Sequence, residues 1–154
     1  VRVMPNVAAT VGQSMTALTA ARATDAQVAA VRSLMDSVGR TILIDEDYFP
    51  VFQALASCSP AWYFQIVDSF ARAGLKYGLS KDSAVEIAAQ AMAGSAALLL
   101  AEREAGTIPA QLIDRVTSPG GTTIAGLLAA EEGGLSSALV GAVDASIHAD
   151  SHLG

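Results

Sequence analysis

The chain has 154 residues, of which 52% are hydrophobic, 5% aromatic and 16% charged, and its net charge is −6. The 9 Lys and Arg residues are scattered singly, which argues against a nucleic-acid-binding protein, and the single cysteine, Cys58, excludes an internal disulfide bond. The low charged fraction favours a surface that is covered by a partner, and we expect this partner to be a second copy of the chain.

No segment has the composition of a membrane anchor or a signal peptide. The most apolar stretch, residues 84–101, contains Glu86 and Gln90, and its uninterrupted part is only 11 residues long, whereas a membrane-spanning helix needs about 20. The first residues, VRVMPN, lack a basic region followed by a long apolar one. We therefore expect no membrane segment and a cytoplasmic location, with which a free cysteine agrees.

Residues 1–44 are predicted to form two strands, a helix and a third strand. Val1–Met4 is a short apolar strand, and a second strand is expected within residues 11–20, opened by Gly12. Thr24 and Gln27 have the spacing of a capping box and predict a helix that Gly39 ends, and the β-branched run at 41–44 predicts the third strand. The pattern favours the end of an α/β domain whose beginning is absent from this sequence.

From residue 45 onward the apolar residues recur with a helical spacing. We therefore expect a mainly α protein with two parts, the remnant of an α/β domain at 1–44 and an all-helical domain at 45–154. Pro60 is expected to interrupt the first helical stretch at residues 57–60 and to begin a new helix. The later predicted helices are one capped by Ser80 and closed by Gly106, and helices at 109–116, at 122–132 and from 135.

The loop before the helix at residue 122 has the composition of an anion site. Gly120 and Gly121 allow backbone amides to turn toward one point, and Thr122 and Thr123 place hydroxyl groups in the first turn of the helix. Amides at a helix N-terminus bind anions without any Lys or Arg. The same pattern also fits an ordinary turn between helices, and spacing alone leaves both interpretations open.

The string TSPGGTTIAGL, which begins at Thr117, resembles very closely the signature loop of pyrroline-5-carboxylate reductases. Further similarities to this family extend over nearly the whole chain. The resemblance implies that residues 1–44 are the C-terminal remnant of a Rossmann-type dinucleotide-binding domain. It also implies that residues 45–154 form a helical dimerisation domain in which this loop holds the carboxylate of the substrate. The substrate-binding residues that it implies here are Ser118, Gly120, Gly121, Thr122 and Thr123.

A second stretch, Leu55–Trp62, corresponds to a serine–glycine–serine–glycine–proline–alanine–tyrosine segment of the same family, which lies beside the nicotinamide and the substrate ring. The proline and the alanine match, but residues 57–59 and Trp62 depart from the family pattern, as does Gln53, which stands where a small hydroxyl residue is common. The departures put the fit of the substrate in question, and ordinary helix packing is the alternative interpretation. The substrate contacts implied here are Cys58, Ser59 and Pro60.

The segment Arg2–Asn6 resembles the strand end that meets the nicotinamide in these reductases. It implies NADPH or NADH as cofactor, with contacts from Met4, Pro5 and Asn6. No GxGxxG motif, which would hold the dinucleotide phosphates, follows a strand in this sequence. We therefore expect the chain alone to bind the cofactor poorly and to be inactive.

The resemblance implies a hydride transfer from the reduced nicotinamide to the C=N carbon of 1-pyrroline-5-carboxylate, which gives L-proline, the last step of proline biosynthesis. It also implies a homodimer or a larger assembly of dimers, and it identifies no catalytic proton donor. Two alternatives stay open, a non-catalytic helical dimerisation module and a paralogue that reduces a related cyclic imine. His148 and His152 have a spacing that suits metal ligands, but no third ligand is evident, and we expect no metal.

Overall fold

A computed structural model describes residues 1–152 of the chain. These residues form two compact units. Unit 1 contains Val1–Tyr63 and the residues from Val140 onward, and unit 2 contains Phe64–Leu139.

Unit 1 contains a three-stranded sheet in the order β1-β2-β3. The strands are antiparallel between β1 and β2 and parallel between β2 and β3, and a helix connects the two parallel strands, as parallel pairing requires. The central strand β2 is buried, because it has a neighbour on both edges. In chain order, these elements are β1 (Arg2–Met4), β2 (Ser14–Thr19), α1 (Asp25–Asp36) and β3 (Gly39–Leu43).

The hydrophobic core of unit 1 lies between the sheet and the helical residues that follow it. Ala17 of β2 is fully buried, and a small side chain at this position leaves room for the rings of Phe49 and Phe52. Further apolar side chains are partly buried against this cluster, namely Met4, Met15 and Ile44. Burial of these residues fixes the start of the helical region against the sheet.

Most of the remaining chain is helical, in agreement with the predicted fold class. The predicted Ser80 cap is confirmed, since the Ser80 hydroxyl accepts from the amide of Ser83 at 3.2 Å. The predicted starts of the last three helices are also confirmed. The helical segments are α2 (Phe49–Phe52), a π-helical turn (Gln53–Cys58), α3 (Ser59–Lys76), α4 (Lys81–Glu102), α5 (Pro109–Val116), α6 (Thr122–Glu132) and α7 (Leu135–Asp150).

Two details of residues 1–44 differ from the prediction, although the capping box at Thr24 is confirmed. Gly12 does not open the second strand; it ends a 3₁₀ turn, Val7–Val11, that Asn6 caps by accepting from the amide of Ala8. Gly39 does not end α1, because the helix already stops at Ser37, whose hydroxyl donates to the carbonyl of Leu34 at 2.6 Å. Both differences have local causes: Gly12 ends the 3₁₀ turn with a φ of 70°, and the Ser37 hydroxyl bonds to the last turn of α1.

The predicted interruption at residues 57–60 is wrong. Helical structure continues without a loop through the π-helical turn into α3, and Pro60 is the second residue of α3. A π-helical turn contains one extra residue per turn, and this extra residue lets the chain pass a proline without ending the helix.

One helical segment among residues 1–152, Lys81–Ala105, is long and apolar enough to cross a membrane by length and composition. Only 6% of its most apolar window is buried within the chain. Length and composition do not distinguish a membrane-crossing helix from a helix that packs against another protein.

Candidate functional site

The loop between α5 and α6 begins with a hydroxyl group that closes α5. Thr117 donates its hydroxyl to the carbonyl of Ile113 at 3.0 Å, so α5 ends in a fixed position before the loop. Further on, the amide of Gly121 donates to the carbonyl of Ser118 at 2.9 Å and closes a tight turn. Gly120 has φ of 67° in this turn, a conformation that favours glycine.

Position 121 accepts no side chain without rearrangement. A Cβ atom at Gly121 would lie 2.4 Å from the Ser118 hydroxyl oxygen and 3.1 Å from the Ser118 carbonyl oxygen. A side chain here would therefore require the Ser118 hydroxyl to rotate and the Ser118 carbonyl to shift by a few tenths of an ångström. Ser118 and Gly120 are exposed, and Gly121 is half-buried.

The N-terminus of α6 has no side-chain cap within the described residues 1–152. Gly121 is the N-cap residue and offers no oxygen from a side chain, and no acidic residue lies in the first turn. The amide of Ala125 donates to the carbonyl of Gly121, so the amides of Thr122, Thr123 and Ile124 precede the first helical bond. These amides and the exposed threonine hydroxyls provide hydrogen-bond donors at the positive end of the helix dipole.

A shallow depression of about 330 Å³ lies beside the same loop. Its lining includes Asp114, Thr117 and Ser118. The carboxylate of Asp114 would repel an anion that entered the depression. The chemistry therefore favours the amides of the first turn of α6, rather than the depression, as the place for a carboxylate group.

An ion pair joins α5 to the end of α4. Arg115 donates to Glu102 Oε2 at 2.5 Å, and the Thr107 hydroxyl donates to the same oxygen at 3.3 Å. The hydrogen bond from Arg115 lowers the pKa of Glu102 below its ordinary value of 4.5, and Glu102 raises the pKa of Arg115.

The other predicted substrate contacts, Cys58, Ser59 and Pro60, lie at the junction of the π-helical turn and α3 in unit 1. Cys58 and Pro60 are half-buried, and Ser59 is only 3% exposed. The Ser59 hydroxyl donates to the carbonyl of Leu55 at 2.6 Å and is thus already engaged inside the chain.

The predicted cofactor contacts lie at the end of β1. Pro5 is exposed, whereas Met4 and Asn6 are half-buried. The side-chain oxygen of Asn6 accepts from the amides of Ala8 and Met15 at 3.2 and 3.3 Å, and its Nδ2 donates to the carbonyl of Ala56 at 2.9 Å. Asn6 therefore brings the end of β1 and the π-helical turn together.

The sequence did not predict two polar features of the π-helical turn. Gln53 donates from Nε2 to Asp150 of α7 at 3.0 Å, across 97 positions of sequence. The hydroxyl of Ser57 is buried and has no hydrogen-bond partner among the residues that the structure describes. No local sequence pattern predicts either feature. Pro60 indicates only that a nearby carbonyl lacks an amide partner, because proline has no amide hydrogen.

His148 of α7 and His152, in the turn that follows it, are close to each other. Their ring centroids lie 4.4 Å apart, and His152 Nδ1 lies 2.7 Å from the carbonyl oxygen of His148. Residues 1–152 contain no group of three or more potential His, Cys, Asp or Glu ligands.

The sequence and the fold both match a known enzyme family. The family model for pyrroline-5-carboxylate reductase dimerisation matches residues 46–153. The chain is 39% identical to the pyrroline-5-carboxylate reductase of Thermus thermophilus, over 100% of this chain and 58% of that protein. It thus spans about half the length of the curated relatives that it matches.

Solved structures of the same family are similar throughout the chain. The 1-pyrroline-5-carboxylate reductase of Streptococcus pyogenes superposes with a TM-score of 0.86 at 42% identity, over 96% of this chain and 56% of that chain. The pyrroline carboxylate reductase of Plasmodium falciparum, solved with NADP bound, superposes with a TM-score of 0.87 at 26% identity, over 99% of this chain and 60% of that chain. The chain therefore belongs to the pyrroline-5-carboxylate reductase family and contains its dimerisation domain.

Proposed function

We propose that the complete protein reduces 1-pyrroline-5-carboxylate to L-proline with NADPH or NADH, and that this chain supplies the part that binds the substrate carboxylate and a second copy of itself. The observation that carries the proposal is the uncapped N-terminus of α6 behind the turn at Gly120 and Gly121. Membership of the reductase family supports the same activity. A cytoplasmic location follows as part of the proposal, because reduced nicotinamide cofactors are supplied there.

The substrate carboxylate is anchored by the first turn of α6. The donors are the amides of Thr122 and Thr123 with their hydroxyl groups, and Ser118, Gly120 and Gly121 shape the loop around the anion. Hydrogen bonds to an ionised acceptor are stronger than those between neutral groups, and several of them fix the orientation of the ring as well as its position. No Lys or Arg is needed, since the amides and the helix dipole supply the positive potential.

The reduced nicotinamide supplies one hydride to the C=N carbon, and the ring nitrogen gains a proton, so that the imine becomes a secondary amine. The chain holds the substrate ring still and keeps its face accessible. In unit 1, Cys58, Ser59 and Pro60 form a wall for the substrate ring, with Ser59 contributing through the backbone, because its hydroxyl is engaged by Leu55. Proton donation is left to solvent.

The end of β1 fits contact with one polar edge of the nicotinamide. Pro5 is exposed and has a carbonyl group to offer, and Asn6 uses one of its two Nδ2 hydrogens for the carbonyl of Ala56. Met4 packs behind them, next to the core of unit 1. Residues 1–44 are thus proposed to be the end of a dinucleotide-binding domain, and residues 45–154 to be the helical domain.

A steady-state assay tests the proposed activity. The complete protein should oxidise NADPH or NADH only when 1-pyrroline-5-carboxylate is added, with one L-proline formed for each cofactor oxidised. This chain alone should show no turnover, because it lacks the phosphate-binding unit. Absence of imine-dependent oxidation in the complete protein would favour the non-catalytic dimerisation module. Faster oxidation of the cofactor with another cyclic imine would favour a paralogue that reduces that imine. This alternative is based on Gln53 and Ser57–Ser59, which depart from the family pattern.

A further inference from the structure

Pro60 removes the amide hydrogen that would serve one of two backbone carbonyl groups, depending on the helix type. An amide hydrogen at position 60 would reach the carbonyl of Ala56 in an α-helix or that of Leu55 in a π-helix, four or five residues back. Proline has no such hydrogen. Ala56 is buried, and a buried carbonyl without a partner would be costly.

Both carbonyl groups receive a side-chain donor instead. Asn6 Nδ2 donates to the carbonyl of Ala56 at 2.9 Å, and the Ser59 hydroxyl donates to the carbonyl of Leu55 at 2.6 Å. The bond from Ser59 is a local one, of the kind that serine often makes in helices. The bond from Asn6 crosses 50 positions of sequence and cannot be explained by local helix geometry.

Asn6 is itself held by its surroundings. Its side-chain oxygen accepts from the amides of Ala8 and Met15, and its own amide donates to the Ser14 hydroxyl at 3.3 Å. These bonds orient the side-chain amide, so that Nδ2 and not Oδ1 faces the π-helical turn. The end of β1, the start of β2 and the π-helical turn are thus joined through one side chain.

We propose that Asn6 is a positioning residue, which replaces the amide hydrogen missing at Pro60 and thereby holds the π-helical turn Gln53–Cys58 against the end of β1. The inference rests on the proposed function, because this turn leads into the substrate wall at Cys58–Pro60. It assigns Asn6 an effect on substrate binding that acts through Ala56 rather than through direct contact with the cofactor. The Ser59 hydroxyl donates to the carbonyl of Leu55, the other candidate partner of an amide at position 60.

A double-mutant cycle between positions 6 and 60 tests the proposal. Asn6→Asp keeps an oxygen that accepts from Ala8 and Met15 but replaces the donor to Ala56 with a second oxygen. In the complete protein it should raise KM for 1-pyrroline-5-carboxylate about 3- to 10-fold, as expected for one lost hydrogen bond. KM for NADPH is measured in the same variants, because Asn6 is also a proposed cofactor contact.

The background variant Pro60→Ala restores an amide hydrogen at position 60. Asn6→Asp made in this background should lose most of its effect, because the carbonyl has regained a donor. A direct contact between Asn6 and the cofactor predicts instead a rise in KM for NADPH that is equal in both backgrounds. Equal effects of Asn6→Asp on the imine in both backgrounds, or no effect on the imine, would overturn the proposal.

Amide hydrogen exchange provides a measurement that does not depend on activity. Exchange at residues 57–59 should become about 3- to 10-fold faster in Asn6→Asp and return toward the original rate when Pro60→Ala is added. If the complete protein does not reduce the imine, the proposed function fails, and this exchange cycle still decides the role of Asn6. If Asn6→Asp does not fold, Ser59→Ala with and without Pro60→Ala gives the same comparison at Leu55, and additive effects there would contradict the proposal.

Discussion

Two threonine side chains, those of Thr122 and Thr123, lie in the first turn of α6 beside amides that precede the first helical hydrogen bond. At this position a hydroxyl group and an amide act together on any bound anion. The hydroxyl contributes a donor that can be removed without changing the backbone. Substitution at Thr123 therefore separates anion binding from loop shape.

Thr123→Val keeps the shape of the side chain and deletes the hydroxyl. We expect KM for the imine to rise about 10- to 150-fold in the complete protein, since a hydrogen bond to a charged group contributes about 1.5–3 kcal/mol. KM for NADPH should hardly change, because the dinucleotide is bound elsewhere. Steady-state measurements that vary one substrate at a time distinguish the two constants.

Thr107→Val is the matched control in the same unit. Thr107 donates to Glu102, away from the loop, and its substitution should leave both KM values within about twofold of the original. An equal rise in both constants for Thr123→Val, or no change in that for the imine, would show that the loop does not bind the substrate carboxylate.

At the scale of elements, local signals in the sequence were enough to predict α4 to α7. Helix starts are marked by the cap at Ser80, by Pro109 in the first turn of α5 and by Gly121 before α6. Each of these signals acts within one helical turn. The π-helical turn could not be predicted in this way. Its passage past Pro60 depends on Asn6, which is distant in sequence, and a local pattern does not reveal a distant donor.

The candidate site was predictable to a similar extent. The loop between α5 and α6, which we propose to bind the substrate carboxylate, has a local sequence signature, and the residues that shape it are neighbours in the chain. The bond between Gln53 and Asp150 and the engaged hydroxyl of Ser59 depend on folded geometry, so that the sequence predicted the site residues but not their hydrogen-bond partners. Their direct contact with a ligand stays a prediction.

Ion pairs between helices of unit 2 should make its stability depend on acidic pH. Lys81 and then Arg72 hold the pKa of Asp68 below 3.8, and Arg115 holds that of Glu102 below 4.5. A carboxyl group with a lowered folded-state pKa stabilises the fold above its unfolded-state pKa, and this stabilisation is lost as the pH falls through the folded-state value. We therefore expect Tm to fall as the pH drops below about 4.5 and further below 3.8.

The effect should be small and sensitive to salt, because the Lys and Arg partners are exposed and the two carboxylates are only half-buried. Glu102→Gln should reduce the decrease in Tm between pH 5 and pH 3, measured by thermal unfolding at low ionic strength. Glu104→Gln is the control, since Glu104 forms no ion pair among the described residues. A pH dependence that is the same in Glu102→Gln and in the original protein would contradict the assignment to this pair.

At the scale of the whole molecule, much apolar surface is left uncovered by the chain itself. The segment Lys81–Ala105 is apolar and mostly exposed, and Leu98 and Leu100 are each 45% exposed. Exposed apolar surface of this extent is typical of an interface. A second copy of the chain is the partner that the dimerisation family model supports.

Light scattering at micromolar concentration and without detergent should therefore give a mass of at least two chains. Leu98→Glu should weaken the association, because it places a charge in the apolar surface, whereas Lys76→Glu changes charge on another helix and should not. A monodisperse monomer would contradict the dimer, and a requirement for detergent would favour a membrane location for α4.

The central claim is that the first turn of α6 holds the substrate by its carboxylate. The most direct measurement compares 1-pyrroline-5-carboxylate with 1-pyrroline, which has the same imine ring and no carboxylate, as substrates of the complete protein. Our account predicts that kcat/KM falls strongly for 1-pyrroline and that Thr123→Val, which weakens the reaction with the carboxylated imine, leaves the reaction with 1-pyrroline almost unchanged. Equal kcat/KM for the two imines, or an equal effect of Thr123→Val on both, would contradict it.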